Sequence, residues 1–256
     1  MRITVLTENT SQLGLPTEHG LSLYIETKEY RALFDCGQSE LFAENAARLG
    51  VDLSDVDICV ISHGHYDHGG GLKRFMELNS TADIYISRYA FEPHYNGEKY
   101  IGLDVALADS PRLKFTSGKT VIADGLTLYD CNDMDKIDRF SSFGLSRRDG
   151  DTVTDDDFRH EQYLLIEEDG KRVLISGCSH KGIINLAEWF RPDALIGGFH
   201  FMKLPPGDIL RGYAEKLDAY DTAYYTCHCT GEEQYEYIRP IMRRLDYISA
   251  GQILEI

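Results

Sequence analysis

Apolar and polar positions alternate through much of the chain, and the alternation predicts strands. RITVLTEN reads as one, while LSLYIET and YRALFDCG read as a hairpin of two buried strands. The period then changes. In SELFAENAARLG, Leu41, Phe42, Asn45, Ala46 and Leu49 share a helical face, and Gly50 stands where a helix ends. VDICVIS is a short β-branched run of the buried-strand type, GLKRFMEL a short helix and ADIYIS a further strand. Two hairpins follow, KTVIADGLTLYD around Asp124-Gly125 and EQYLLIEEDGKRVLIS around Asp169-Gly170. The remainder predicts helix in GIINLAEWF, strand in PDALIGG, helix in PPGDILRGYAEKLDAY and strand in TAYYTCH. GEEQYEYIRPIMRRL is a last helix that Pro240 must interrupt. Two stretches lack a clean period: residues 88–118 mix helical and loop character, and residues 132–160 are acidic and read as a surface excursion.

Strands alternating with helices predict an α/β fold whose sheets are covered by helices. The chain also echoes itself. ICVISHGHYDHGGGLKRF and VLISGCSHKGIINLAEWF share the order apolar strand, histidine-bearing loop, glycine, helix; DALIGGFHF and AYYTCHCTG repeat its first part. Loops at the C-terminal ends of strands are the usual home of an α/β active site. A length of 256 residues allows one large domain or two small ones with a substantial core, and residues 88–160 are expected to hold a pocket-shaping excursion.

Composition narrows the partners. Hydrophobic residues at 43% and charged residues at 27% are ordinary for a soluble protein. The 26 basic and 42 acidic residues leave a net charge of −16, which repels phosphate backbones and argues against a nucleic-acid partner. MRITVLTENT lacks the features of a signal peptide, and no apolar run approaches the roughly 18 residues of a membrane span. A cytoplasmic location without a membrane partner is expected. Cys36, Cys59, Cys131, Cys178, Cys227 and Cys229 then read as reduced thiols or ligands, with Cys59 in the core.

The densest chemistry lies in HGHYDHGGG, residues 63–71, where His63, His65, Asp67 and His68 crowd one loop between a buried strand and a helix. Imidazoles and a carboxylate on such a support suit a transition-metal site. One loop does not complete a site. His180 in SGCSHKG, His200 in GGFH and His228 in TCHCTG stand at other strand ends. His160 in FRHEQYLL precedes a strand, and His19 in PTEHG is placed to line the mouth. His94 has no comparable context and reads as structural or exposed; Asp155, Asp156 and Asp157 read as a solvated charge run.

HGHYDHGGG resembles the H-x-H-x-D-H signature of the metallo-β-lactamase fold superfamily. EHGLSLYIE and LFDCG resemble the paired strands before it. SGCSHKGIINL, GGFH and HCTG resemble the branch named for 7,8-dihydropterin-6-yl-methyl-4-(β-D-ribofuranosyl)aminobenzene 5′-phosphate synthase. The resemblance implies a single domain over 1–256, a four-layer αββα sandwich of two mixed β-sheets flanked by helices, with a binuclear site along one edge. It implies that His63 and His65 bind one divalent ion, that Asp67 and His68 bind the other, and that His228 completes the second. Asp35 falls where an acidic residue supports the site. The sequence departs from the family where many members carry Gly-Asp, since Gly177 is followed by Cys178. His180 is preferred to His160 as the remaining histidine, and Cys178 is either a thiolate ligand or a small residue under the metals.

The leading expectation is a metal-dependent hydrolase using water on a small, phosphorylated or other ester-type substrate, with Asp67 and His200 catalytic. Two zinc ions are the expected cofactors, with iron or manganese as alternatives. A synthase or transferase joining a phosphoribosyl donor to a pterin-related or aromatic amine is the second reading, and a non-catalytic metal-binding ligand sensor the third. Arg88, Arg147, Arg148 and Lys181 are candidate anion contacts, though surface charge is their commoner fate.

Overall fold

The computed structural model describes residues 1–256. Two 7-stranded sheets form its centre. Across the first run the strands Ile253–Glu255, Arg2–Thr7, Ser22–Glu26, Arg31–Phe34, Ile58–Ile61, Asp83–Ser87 and Leu113–Thr116. Across the second run Leu245–Tyr247, Ala223–Thr226, Ala194–Gly197, Lys171–Ile175, Tyr163–Glu168, Leu126–Tyr129 and Lys119–Ala123. Each sheet is mixed. Hairpins make one side antiparallel, and strand–helix–strand connections make the other parallel.

Alternation along the strands sorts side chains to the two faces. Leu23 and Ile25 point inward with Ile3, Val5 and Val60, and meet Leu128, Leu164, Ile175 and Ile196 of the second sheet. Leu33, Ile61 and Ile84 point outward, onto Phe42 and Phe75 of the helices Leu41–Leu49 and Leu72–Leu78. Leu174, Leu195 and Tyr224 face Leu186, Leu210 and Ile238 of the helices Ile183–Phe190, Asp208–Asp218 and Glu232–Ile238. The layers are therefore helix, sheet, sheet, helix, as expected. Each fully buried leucine or isoleucine stabilises the stack by roughly 1.5–3 kcal/mol. Helix ends follow the local chemistry. Gly50 takes φ 73° and its N–H caps the carbonyls of Ala46 and Ala47, and the last helix stops at Ile238, before Pro240.

The stretches without a clean period contain a third, 4-stranded sheet, made by Thr152–Asp155, Leu145–Asp149, His94–Asn96 and Lys99–Tyr100. Its strands are short, and Thr152–Asp155 is exposed throughout, so no inward face imposes alternation. One expectation fails in this region: Asp156 is buried at 4% exposure rather than solvated. His94, at 0% and bonded to Asp156, takes the structural reading rather than the exposed one. No helix is long and apolar enough to cross a membrane.

Candidate metal centre

The parallel strands of both sheets end at one edge of the sandwich, and the histidine-bearing loops emerge there. Ile58–Ile61 is wholly buried and delivers Ser62 and His63; Arg31–Phe34 beside it delivers Asp35, held in the left-handed region at φ 61°. The buried Asp35 carboxylate accepts the Ser62 N–H at 2.7 Å and the Ser62 hydroxyl at 2.7 Å. It also bonds Nδ1 of His68 at 2.7 Å. One carboxylate thus fixes both ends of the loop. The glycines permit the tight path: a Cβ on Gly64 would lie 2.2 Å from the Ala90 carbonyl oxygen, and one on Gly71 2.2 Å from that of Cys36.

His63, His65 and His180 form the first group, with ligand atoms within 4.8 Å of one another. The His63 Nδ1–H donates to the Ser62 hydroxyl oxygen at 2.8 Å, which leaves Nε2 as a bare acceptor. Nε2 of His65 and both ring nitrogens of His180 are likewise buried without a hydrogen-bond partner. Such orphaned polar atoms are costly unless something binds them. Burial, reinforced by the neighbouring histidines, lowers the pKa of His63, His65 and His180 well below the ordinary imidazole value, so all three are neutral.

Asp67, His68 and His228 form the second group. His228 Nε2 lies 3.4 Å and His68 Nε2 3.9 Å from Asp67 Oδ2, and the two Nε2 atoms are 3.2 Å apart. Their Nδ1 atoms are committed elsewhere, His68 to Asp35 and His228 to Asn9 Oδ1 at 2.8 Å. Both rings therefore turn Nε2 inward, and two lone pairs so close demand a positive charge between them. A proton on His68 can supply it: burial opposes that charge, but Asp35 and Asp67 outweigh burial and raise its pKa to about 9. A divalent ion meets the same demand and bonds both nitrogens, since ligands about 2.0–2.1 Å from a tetrahedral ion stand about 3.3 Å from each other. Burial also opposes ionisation of Asp67, yet His68, His19 and His228 hold its carboxyl well below the usual range.

Cys178 lies between the groups, its Sγ 3.2 Å from His68 Nε2; its ligand atom clusters with His63 and His68 and also with His180 and His200. Burial pushes this thiol well above its ordinary pKa. Its loop is held from below by the buried Glu161, which accepts the N–H groups of His180 at 2.8 Å and Lys181 at 3.0 Å. His200, left-handed at φ 56°, brings its ring within 4.3 Å of that of His180 and has unpartnered ring nitrogens. His19 is 43% exposed at the rim and bonds Asp67 Oδ2 at 3.3 Å. His160 packs beside the first group, its ring 5.1 Å from that of His65, and its Nδ1 accepts the Gly64 N–H at 2.9 Å.

The candidate anion contacts fare differently. Lys181 is buried, donating to the carbonyls of Phe158 at 2.6 Å and Glu161 at 3.0 Å, so it braces the loop and is closed to substrate. Arg147 faces Glu92 and Asp157, Arg148 lies 3.9 Å over the Tyr95 ring, and Arg88 is exposed. Sequence reasoning missed Glu8 and Asn9. Glu8 accepts the His228 N–H at 2.6 Å and the Tyr247 hydroxyl at 2.8 Å. The signal was present in the polar pair that ends the apolar run ITVLT.

The metallo-beta-lactamase superfamily model matches residues 15–224. An uncharacterized protein of Methanocaldococcus jannaschii is 30% identical over 243 residues, covering 90% of each chain. The 7,8-dihydropterin-6-methyl-4-(beta-D-ribofuranosyl)-aminobenzene-5'-phosphate synthase of the same organism is 25% identical over 283 residues, covering 100% of this chain and 96% of its own. A crystal structure described as a metal-dependent hydrolase of the beta-lactamase superfamily is similar with a TM-score of 0.85 at 30% identity, over 100% of this chain and 99% of that one.

Proposed function

The chain belongs to the metallo-beta-lactamase superfamily, and from that premise we propose that it hydrolyses a small phosphoester or other ester-type substrate with two divalent ions, zinc first among them. His63, His65 and His180 would hold one ion, and Asp67, His68 and His228 the other, with Cys178 between them. The observation that carries this reading is the convergence of inward-turned ring nitrogens: Nε2 of His63 and His65 have no partner, and those of His68 and His228 face each other at 3.2 Å. Ions held there would supply a nucleophile from water at neutral pH and would stabilise negative charge developing on the substrate.

The chain's own residues do the rest. Asp35 and Asn9 fix the tautomers of His68 and His228 by occupying their Nδ1 atoms, and Ser62 does the same for His63. Asp67, ionised and 12% exposed at its side chain, orients the attacking water through its free lone pairs. His200, beside His180 and without a partner on either nitrogen, delivers a proton to the leaving oxygen. His19 closes the rim over Asp67.

The test pairs metal content by elemental analysis with turnover on a panel of phosphoesters, thioesters and lactones, before and after chelation. Turnover that disappears with the metal and returns on its addition supports the reading; full turnover without metal ends it. The full-length relationship to the aminobenzene phosphate synthase favours one rival, a condensation of a phosphoribosyl donor with an amine. Pyrophosphate release with no ester hydrolysis would select that rival, and tight metal binding with no turnover would select a ligand sensor.

A further inference from the structure

Three buried side chains beside the first group are not used by the proposed seating of the two ions: His94, Asp156 and His160. The His160 Nδ1 accepts the Gly64 N–H at 2.9 Å, so the proton of the neutral ring resides on Nε2. Nε2 faces Asp156 Oδ2 at 3.4 Å, and the same oxygen accepts from His94 Nδ1 at 2.8 Å. The second oxygen, Oδ1, accepts the Phe158 N–H at 2.8 Å. The His94 and His160 rings pack with centroids 3.8 Å apart. Gly64 is the residue between His63 and His65, and its backbone is already pressed against Ala90. Its backbone therefore joins the two ligand-bearing residues directly. His94 belongs to a strand of the third sheet, and the Asp156 N–H bonds Leu145 of the same sheet, so that sheet anchors the assembly.

The ligand atoms of His65, His94, Asp156 and His160 lie within 4.8 Å of one another, a spacing that an ion could exploit. The Gly64 hydrogen bond argues against it. An ion would need His160 Nε2 bare, and the tautomer that Gly64 imposes puts the proton on that nitrogen, which lies 3.4 Å from Asp156 Oδ2 without a hydrogen-bond partner. We infer that Asp156 and His160, steadied by His94, are positioning residues: a strut from the third sheet to Gly64 that aims His63 and His65. The inference rests on the proposed seating of one ion by His63, His65 and His180.

Zinc titration of the full chain against a chromophoric chelator tests it, with cobalt(II) absorption as a second readout. The wild type, His160→Ala, His160→Asn and Asp156→Asn are compared. Asparagine at 160 places an amide oxygen near the position of Nδ1 and can still accept from Gly64. The expected result is two ions in the wild type, with one of them weakened about 10–100-fold in His160→Ala, the range typical for loss of an outer support. His160→Asn restores most of that loss, Asp156→Asn lies between, and the cobalt spectrum changes for the weakened ion alone. Unchanged affinity in His160→Ala overturns the strut while leaving the two-ion site standing. Equal weakening of both ions without rescue by His160→Asn overturns it as general destabilisation. A third ion in the wild type that Asp156→Asn removes overturns it by making the cluster a metal seat. A wild type that binds no zinc overturns both this inference and the proposed function.

Discussion

The two groups of side chains at the sheet edge contain similar residues and solve different electrostatic problems. His63, His65 and His180 are buried, neutral and largely without hydrogen-bond partners. Asp67, His68 and His228 bring a carboxylate of their own and stand on a second, Asp35. The first group offers an ion little but lone pairs and geometry. The second offers net negative charge, at the cost of a proton that an incoming ion must displace from His68. Similar ligands can thus differ in affinity and pH response, through what lies behind them rather than through the ligands themselves.

The strongest way to break this comparison is to remove a charged-group ligand. His68→Ala should eliminate one ion and lower kcat/KM by on the order of 10³-fold, since it removes a partner for both Asp35 and the ion; retained stoichiometry by elemental analysis would contradict it. His200→Ala should lower kcat by about 10²-fold, within the range for a general acid, with metal content unchanged. Loss of metal in that variant would make His200 a ligand instead. Asp35→Asn should weaken the second ion by about 10–100-fold while the first keeps its affinity, read by competition with a chelator.

The finest test is pH. The His68 pKa is raised from 6.5 to about 9 in the folded protein. In the metal-free protein this group's contribution to stability is fully present below about pH 6.5 and is lost as pH rises through about 9. Zinc affinity of the second group should do the reverse, strengthening up to about tenfold per pH unit across that window as the competing proton leaves. The first group, whose pKa values are depressed, should show a flat affinity over the same range. Calorimetry at several pH values separates the two; parallel slopes would erase the distinction.

The comparison also explains what could be read from sequence. The layers were legible because alternation and helical period report burial directly, as in LSLYIET and SELFAENAARLG. His63, His65, Asp67 and His68 were legible because they share one loop, and His228 because it ends an apolar strand. What orients them was not. Asn9 reaches His228 from 219 positions away and Asp156 reaches His94 from 62, contacts created by sheet order that leave no local pattern. The third sheet escaped for the opposite reason: Thr152–Asp155 has no buried face to write a period into the sequence. Asp156, next to these exposed positions, shared their composition and not their surroundings.

The central claim is that two distinct seats lie side by side. Anomalous difference maps at the zinc edge, from crystals grown with zinc, test it most directly. The account predicts two peaks, one among His63, His65 and His180 and one among Asp67, His68 and His228. A single peak, or one centred among His94, Asp156 and His160, would contradict it.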